Sequence, residues 1–199
     1  MLTRTTTQIL ESLRDPANSA EWRSFDDRYR PVLMAFARRR GLSEADAADV
    51  AQTTLAQFVV DFGAGRYDRT RGRLSSWILG IARNRVADAG RDARRARERT
   101  PRGESALVDL AEQGAGEREW EEALRKVILE RALTVLRNDT RLDERTIRAF
   151  DLCAMRNVPP AAAAAECGMT VAEVYVAKNR AIKKLREIVQ RLTMEFDDS

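Results

Sequence analysis

Three clusters of basic and amide side chains carry the chemistry this chain can offer. The first is the run Arg66-Tyr67-Asp68-Arg69-Thr70-Arg71-Gly72-Arg73. The second follows it directly, with Ser76, Arg83, Asn84 and Arg91 spaced along one periodic segment. The third is Lys178-Asn179-Arg180 with Lys183-Lys184-Leu185-Arg186. Guanidinium and ammonium groups neutralise phosphates, while asparagine and arginine match base edges. Covalent chemistry has no comparable support. The 199 residues include no histidine, and no nucleophile–base pair or glycine-rich phosphate loop is present. No catalytic residue, cofactor or metal site is therefore expected. Cys153 and Cys167 form no CxxC pair and read as reduced thiols.

The composition agrees with a soluble helical protein that binds a polyanion. Charged residues make up 33% of the chain, hydrophobic residues 44%, and the net charge is +4. No apolar run reaches the roughly 18 residues needed to span a bilayer. Met1 to Asp15 lacks the apolar core of a signal peptide, so a cytoplasmic location without membrane insertion is expected.

The elements that must position the basic clusters are helical almost throughout. Trp22, Phe25, Tyr29, Val32, Leu33 and Phe36 recur at spacings of three and four, with Pro31 predicted to kink or break the run and Gly41 to cap it. Ser43 and Asp46 resemble a capping box opening a second helix, with Ala47, Val50, Ala51, Thr54, Leu55 and Phe58 on its apolar face. Gly63, Ala64 and Gly65 end it. A third helix starts at Leu74, and its stripe Leu74, Trp77, Ile78, Ile81, Ala82 predicts a buried Trp77, with Ser76, Arg83, Asn84 and Arg91 opposite. From Arg91 to about Gly116 the period fades into basic, then acidic residues punctuated by Pro101, Gly103 and Gly114, which reads as a linker. Beyond it come a helix around Trp120–Leu136, another around Ile147–Leu152, and a short alanine-rich helix near Pro159 ending at Gly168. A long final helix is opened by the capping pair Thr170 and Glu173. The expected fold is all-α, two small helical domains joined by a flexible linker: residues 1–92, 93–116 and 117–199.

Ala164, Gly168 and Val174 have the spacing of a helix-turn-helix. A small residue sits where the helices touch, a glycine where the turn needs positive φ, and a branched residue locks the second helix. Ala172, Glu173, Tyr175, Val176, Asn179, Arg180 and Lys183 then project from the second helix toward a major groove.

Taken together, three ordered segments closely resemble the bacterial RNA polymerase sigma factors of the sigma-70 family, extracytoplasmic-function (ECF) class. Asp46-Ala-Ala-Asp49-Val-Ala-Gln52 is similar to that family's polymerase-clamp helix. Ser76-Trp77-Ile78-Leu79-Gly80-Ile81-Ala82-Arg83-Asn84 is similar to its promoter-reading helix, and Val174 through Arg186 to its sigma-four recognition helix. Ala48, Thr53, Ala162 and Ala163 depart from the family's usual residues.

The resemblance implies an alternative sigma factor that binds core RNA polymerase and promoter DNA and directs promoter recognition, melting and initiation. Asp46, Asp49 and Gln52 would contact polymerase. Arg66, Arg69, Arg71, Arg73, Ser76, Arg83, Asn84 and Arg91 would serve the −10 element, and the final helix the −35 element. The sequence leaves open an anti-sigma factor as a further partner. A stand-alone helix-turn-helix regulator, or a protein-binding helical adaptor, remains the alternative at this point.

Overall fold

The computed structural model describes residues 19–98, 113–138 and 141–196, together with Leu10, Ser12 and Leu13. The described residues are helical with no strand: α1 (Ser19–Arg39), α2 (Glu44–Gly63), a 3-10 turn (Arg69–Arg71), α3 (Leu74–Glu98), α4 (Gln113–Asn138), α5 (Glu144–Phe150), a π turn (Asp151–Met155), α6 (Pro160–Cys167) and α7 (Val171–Met194). The all-α expectation holds. None of the described helices is long and apolar enough to cross a membrane. The chain packs as two units, Leu2–Val127 with Phe196–Ser199, and Ile128–Glu195 with Met1. The linker read over residues 93–116 falls, for residues 99–112, outside the described residues.

In the first unit, α1, α2 and α3 each bury one stripe against the others. Phe25, Val32, Leu33 and Phe36 of α1 meet Ala47, Val50, Ala51, Leu55 and Phe58 of α2, and Leu74, Ile78, Ala82 and Val86 of α3 complete the core. Phe58 is its centre. It is fully buried, stacks on Phe25 at 4.5 Å and Phe62 at 5.5 Å, and meets Trp22 and Trp77 edge-on at 6.3 and 5.5 Å. Such aromatic pairs add ~0.5–1.5 kcal/mol each beyond area burial.

Local rules set the helix ends. Gly41 takes φ +82°, and Leu42 N donates to Ala37 O at 3.3 Å, closing α1 in the left-handed C-terminal manner. Ser43 Oγ accepts from Asp46 N at 3.1 Å and opens α2. Pro31 neither ends nor breaks α1, which continues to Arg39. Its ring is exposed, while Tyr29, Val32 and Leu33 hold both halves of the helix to the core.

The start of α4 also belongs to this unit. Trp120 is buried with its ring edge-on to Phe36 at 5.9 Å, while Arg40, just past the end of α1, pairs with Glu119 and Arg39 of α1 pairs with Glu122. A Cβ on Gly116 would lie 3.3 Å from the Arg40 and Arg83 side chains, so the helix approaches closely there.

Trp77 departs from expectation. It is half-buried, not core, and its ring stacks on Tyr67 of the preceding loop at 5.1 Å. The reason is angular. Trp77 and Asn84 are seven residues apart, close to two full turns, so they share a face rather than opposing each other. The buried stripe of α3 is Leu74, Ile78, Leu79, Ala82 and Val86.

In the second unit, Ile128, Ala132, Leu133 and Leu136 bury the remaining face of α4. Asp143 caps α5 by accepting from Thr146 N at 2.8 Å. Arg145 donates to the carbonyls of Cys167 and Gly168, at the end of α6. Ala163, Ala164, Val174 and Ala177 share one cluster with Ala149, Leu152 and Cys153, so small side chains let α6 and α7 approach closely. Gly168 adopts φ +59°, ψ +44°, and Met169 N donates to Ala164 O at 2.9 Å, which completes the turn.

Phe58→Ala should cost ~3–5 kcal/mol, as for other fully buried aromatics, and Trp77→Ala roughly half as much. Thermal melts check both. Equal losses would show that the ring cluster is not centred on Phe58.

Candidate nucleic-acid interface

Three outward surfaces carry the residues singled out from the sequence. On α2, Asp46, Asp49 and Gln52 are all exposed and follow one another at three-residue spacing. Asp46 is also part of the cap, since Ser43 Oγ donates to its carboxylate at 2.7 Å. Gln52 lies on the rim of an apolar groove of about 760 Å³, lined also by Trp22, Leu55, Val59 and Phe62. Val59 and Val60, 42% and 62% exposed, extend this apolar surface along the outside of α2. The inward periodicity of α2 gives no reason for them to be apolar, and that mismatch was the signal available in the sequence.

The second surface is the basic loop and the start of α3. Arg66, Arg71, Arg73 and Ser76 line one hollow of about 390 Å³ together with Tyr67 and Trp77. The aromatic pair was not anticipated as part of this surface. Arg69 is exposed in the 3-10 turn. Asp68 caps that turn. Its carboxylate is held below the ordinary range by hydrogen bonds from the Thr70 hydroxyl and backbone N–H, at 2.7 and 2.9 Å, with Arg71 adding to the effect. Arg66 anchors the loop by pairing with Asp61 at 2.7 Å. Asp61 also accepts from Gln57, and Gln57 accepts from Arg85 of α3, both at 2.9 Å, which ties the loop, α2 and α3 together.

Arg83, Asn84 and Arg91 do not join this hollow. Asn84 is about 12 Å further along α3 than Ser76 at the helical rise per residue. Arg83 and Asn84 line a separate small cavity of about 160 Å³ with Phe36 and Arg40. Arg83 is half-buried beside Gly116, and Arg91 pairs with Asp88.

The third surface is the outer face of α7. Ala172, Glu173, Tyr175, Val176, Asn179, Arg180 and Lys183 are all exposed, while Val174, Ala177, Ala181, Ile188 and Leu192 face inward. Glu173 is committed to the capping box. Its carboxylate accepts from Thr170 N at 2.7 Å and from the Thr170 hydroxyl at 2.9 Å, while Glu173 N donates to Thr170 Oγ1 at 3.2 Å. These hydrogen bonds, the backbone one foremost, hold Glu173 below the ordinary carboxylate range, and Arg145 adds to the effect. Six of the seven side chains therefore remain available for contact.

Residues 25–96 match the family model of Sigma-70 region 2. The matched segment runs from α1 through nearly all of α3. It contains Asp46, Asp49, Gln52 and every loop and α3 residue named above. The match supports a sigma-70 family sigma factor with a role in RNA polymerase binding and promoter recognition. No curated protein matches the chain.

Because its native carboxyl is shifted down, Glu173 stabilises the start of α7 above its ordinary titration range. That contribution disappears as pH falls through the lowered native value. Thr170→Ala removes the hydroxyl but keeps the backbone N–H, so the Glu173 titration, followed by NMR, should move only part of the way up toward the ordinary value. An unmoved titration would remove the Thr170 hydroxyl as a cause.

Proposed function

We propose that this sigma-70 family chain is an alternative sigma factor of the ECF class, built as a sigma-two-like domain (1–92), a linker (93–116) and a sigma-four-like helix-turn-helix domain (117–199). The observation that carries the reading is the region 2 match over residues 25–96, which coincides with two outward surfaces that core packing does not require. Asp46, Asp49 and Gln52 dock on core polymerase, and the apolar groove beside Gln52 widens the contact. Arg66, Arg69, Arg71, Arg73 and Ser76, together with Arg83, Asn84 and Arg91, hold the −10 region of promoter DNA. The arginines neutralise phosphates, and the amide and hydroxyl groups meet base edges. The Tyr67–Trp77 pair gives the basic hollow an aromatic wall suited to stacking.

The α6–turn–α7 arrangement supports the role of the second domain. The αL glycine and the small-residue contact set α7 against α6, and the outer face of α7 reads the −35 duplex. The protein makes and breaks no covalent bond. It directs binding energy into positioning polymerase and stabilising unpaired DNA, so it acts in the cytoplasm, where an anti-sigma factor is a further candidate partner.

Asp49→Ala/Gln52→Ala should weaken core-polymerase binding in co-purification while leaving the circular-dichroism melt nearly unchanged, since exposed substitutions usually cost within about 0.5 kcal/mol. In the same assay format, Asn84→Ala should bind polymerase normally but slow promoter opening, read by permanganate footprinting. A large drop in melting temperature with intact binding would reassign Asp49 and Gln52 to a structural role.

A further inference from the structure

The outer face of α7 has a hydrocarbon at its middle. Ala172, Val176, Asn179 and Lys183 are spaced four, three and four apart and so lie one above another, opposite the buried stripe. Val176 is 64% exposed, the highest among the exposed large apolar side chains of the described residues, and Tyr175 beside it is 52% exposed. An apolar residue at the centre of a contact face calls for an apolar group opposite. The surroundings decide what carries that group. Arg180, Lys183 and Arg186 are exposed along the same helix, and Lys178 and Lys184 flank the face. Glu173 is the only acidic residue between Val171 and Arg186, and its carboxylate is committed to the cap. The complementary surface is therefore polyanionic with an apolar group recessed within it. Duplex DNA fits this description, with phosphates at the rim and the thymine C5-methyl on the major-groove floor.

We propose that Val176 is a specificity-determining residue that packs on a thymine methyl in the −35 duplex and thereby selects a T·A pair at that position. The inference rests on the reading of α7 as the −35 helix. Val176 requires no bonding partner for this. The methyl group leaves water as α7 enters the groove, and a cytosine or purine at that position presents no methyl group there.

The test uses the full chain assembled with core polymerase. Duplexes randomised over the −35 element are selected for binding. In the enriched duplex each thymine is then replaced in turn by deoxyuridine, which keeps the pairing and removes only the methyl. One position should lose affinity about fourfold, the worth of one buried methyl. Val176→Ala should remain folded and bind thymine and deoxyuridine duplexes equally, with an affinity close to that of the wild type on the deoxyuridine duplex. Enrichment without any deoxyuridine-sensitive position, or the same sensitivity in Val176→Ala, would overturn this inference alone. If Val176→Ala instead impaired assembly with polymerase, the side chain would be a protein contact and the inference would fall. If no sequence were enriched although polymerase bound, α7 would not be a base reader, and the −35 assignment would fall with it.

Discussion

The packing of Phe58 of α2 between α1 and α3 is the interaction on which the first unit depends. Phe58 touches Phe25 and Trp22 on one side and Trp77 on another, so three helices share one aromatic contact. Around it α1, α2 and α3 turn their apolar faces inward. The acidic and amide residues of α2 and the arginines after it are left facing outward. The basic loop gains its footing from the same cluster, because Tyr67 stacks on Trp77 and Arg66 pairs with Asp61. A loop of like charges repels itself, and these two anchors hold it where four of its neighbouring polar side chains line one hollow.

The second unit solves a different problem with smaller residues. Alanines at 163, 164 and 177 let α6 and α7 come together, and Val174 fills the remaining space. The left-handed Gly168 makes the turn short, and the Arg145 guanidinium satisfies carbonyls that the end of α6 would otherwise expose. Among the described residues the buried side chains of α7 lie on one side, and the opposite side is exposed.

Much of this was legible in the residues. The caps at Ser43 and Thr170, the αL glycines at 41 and 168 and the inward stripes of α1, α2 and α7 follow from local rules that act within one turn. What was missed is longer-range or carries no apolar period. α3 continues to Glu98 through Arg- and Ala-rich residues that favour helix without an apolar stripe to announce it. The π turn at Asp151–Met155 has no signature in composition. The pairing of Arg39 and Arg40 with Glu122 and Glu119 joins residues some eighty positions apart, and nothing local selects those partners from the other charges. The stripe Leu74, Trp77, Ile78, Ile81, Ala82 predicts a buried Trp77, but Trp77 lies at the edge of that stripe, half-buried, on the side it shares with Asn84. At the interface, the contiguous Arg66–Ser76 group could be read directly. The separation of Arg83 and Asn84 into another cavity depended on where Gly116 and the start of α4 pack.

The central claim is that the matched region 2 segment works as part of a transcription machine. Reconstituted transcription tests it most directly. Core RNA polymerase with and without the chain is supplied with fragmented genomic DNA from the source organism, and transcript 5′ ends are mapped. The account predicts discrete start sites that require the chain and share upstream elements spaced for two domains. Unchanged start sites, with the chain binding DNA equally well in the absence of polymerase, would contradict it and favour a regulator that acts alone.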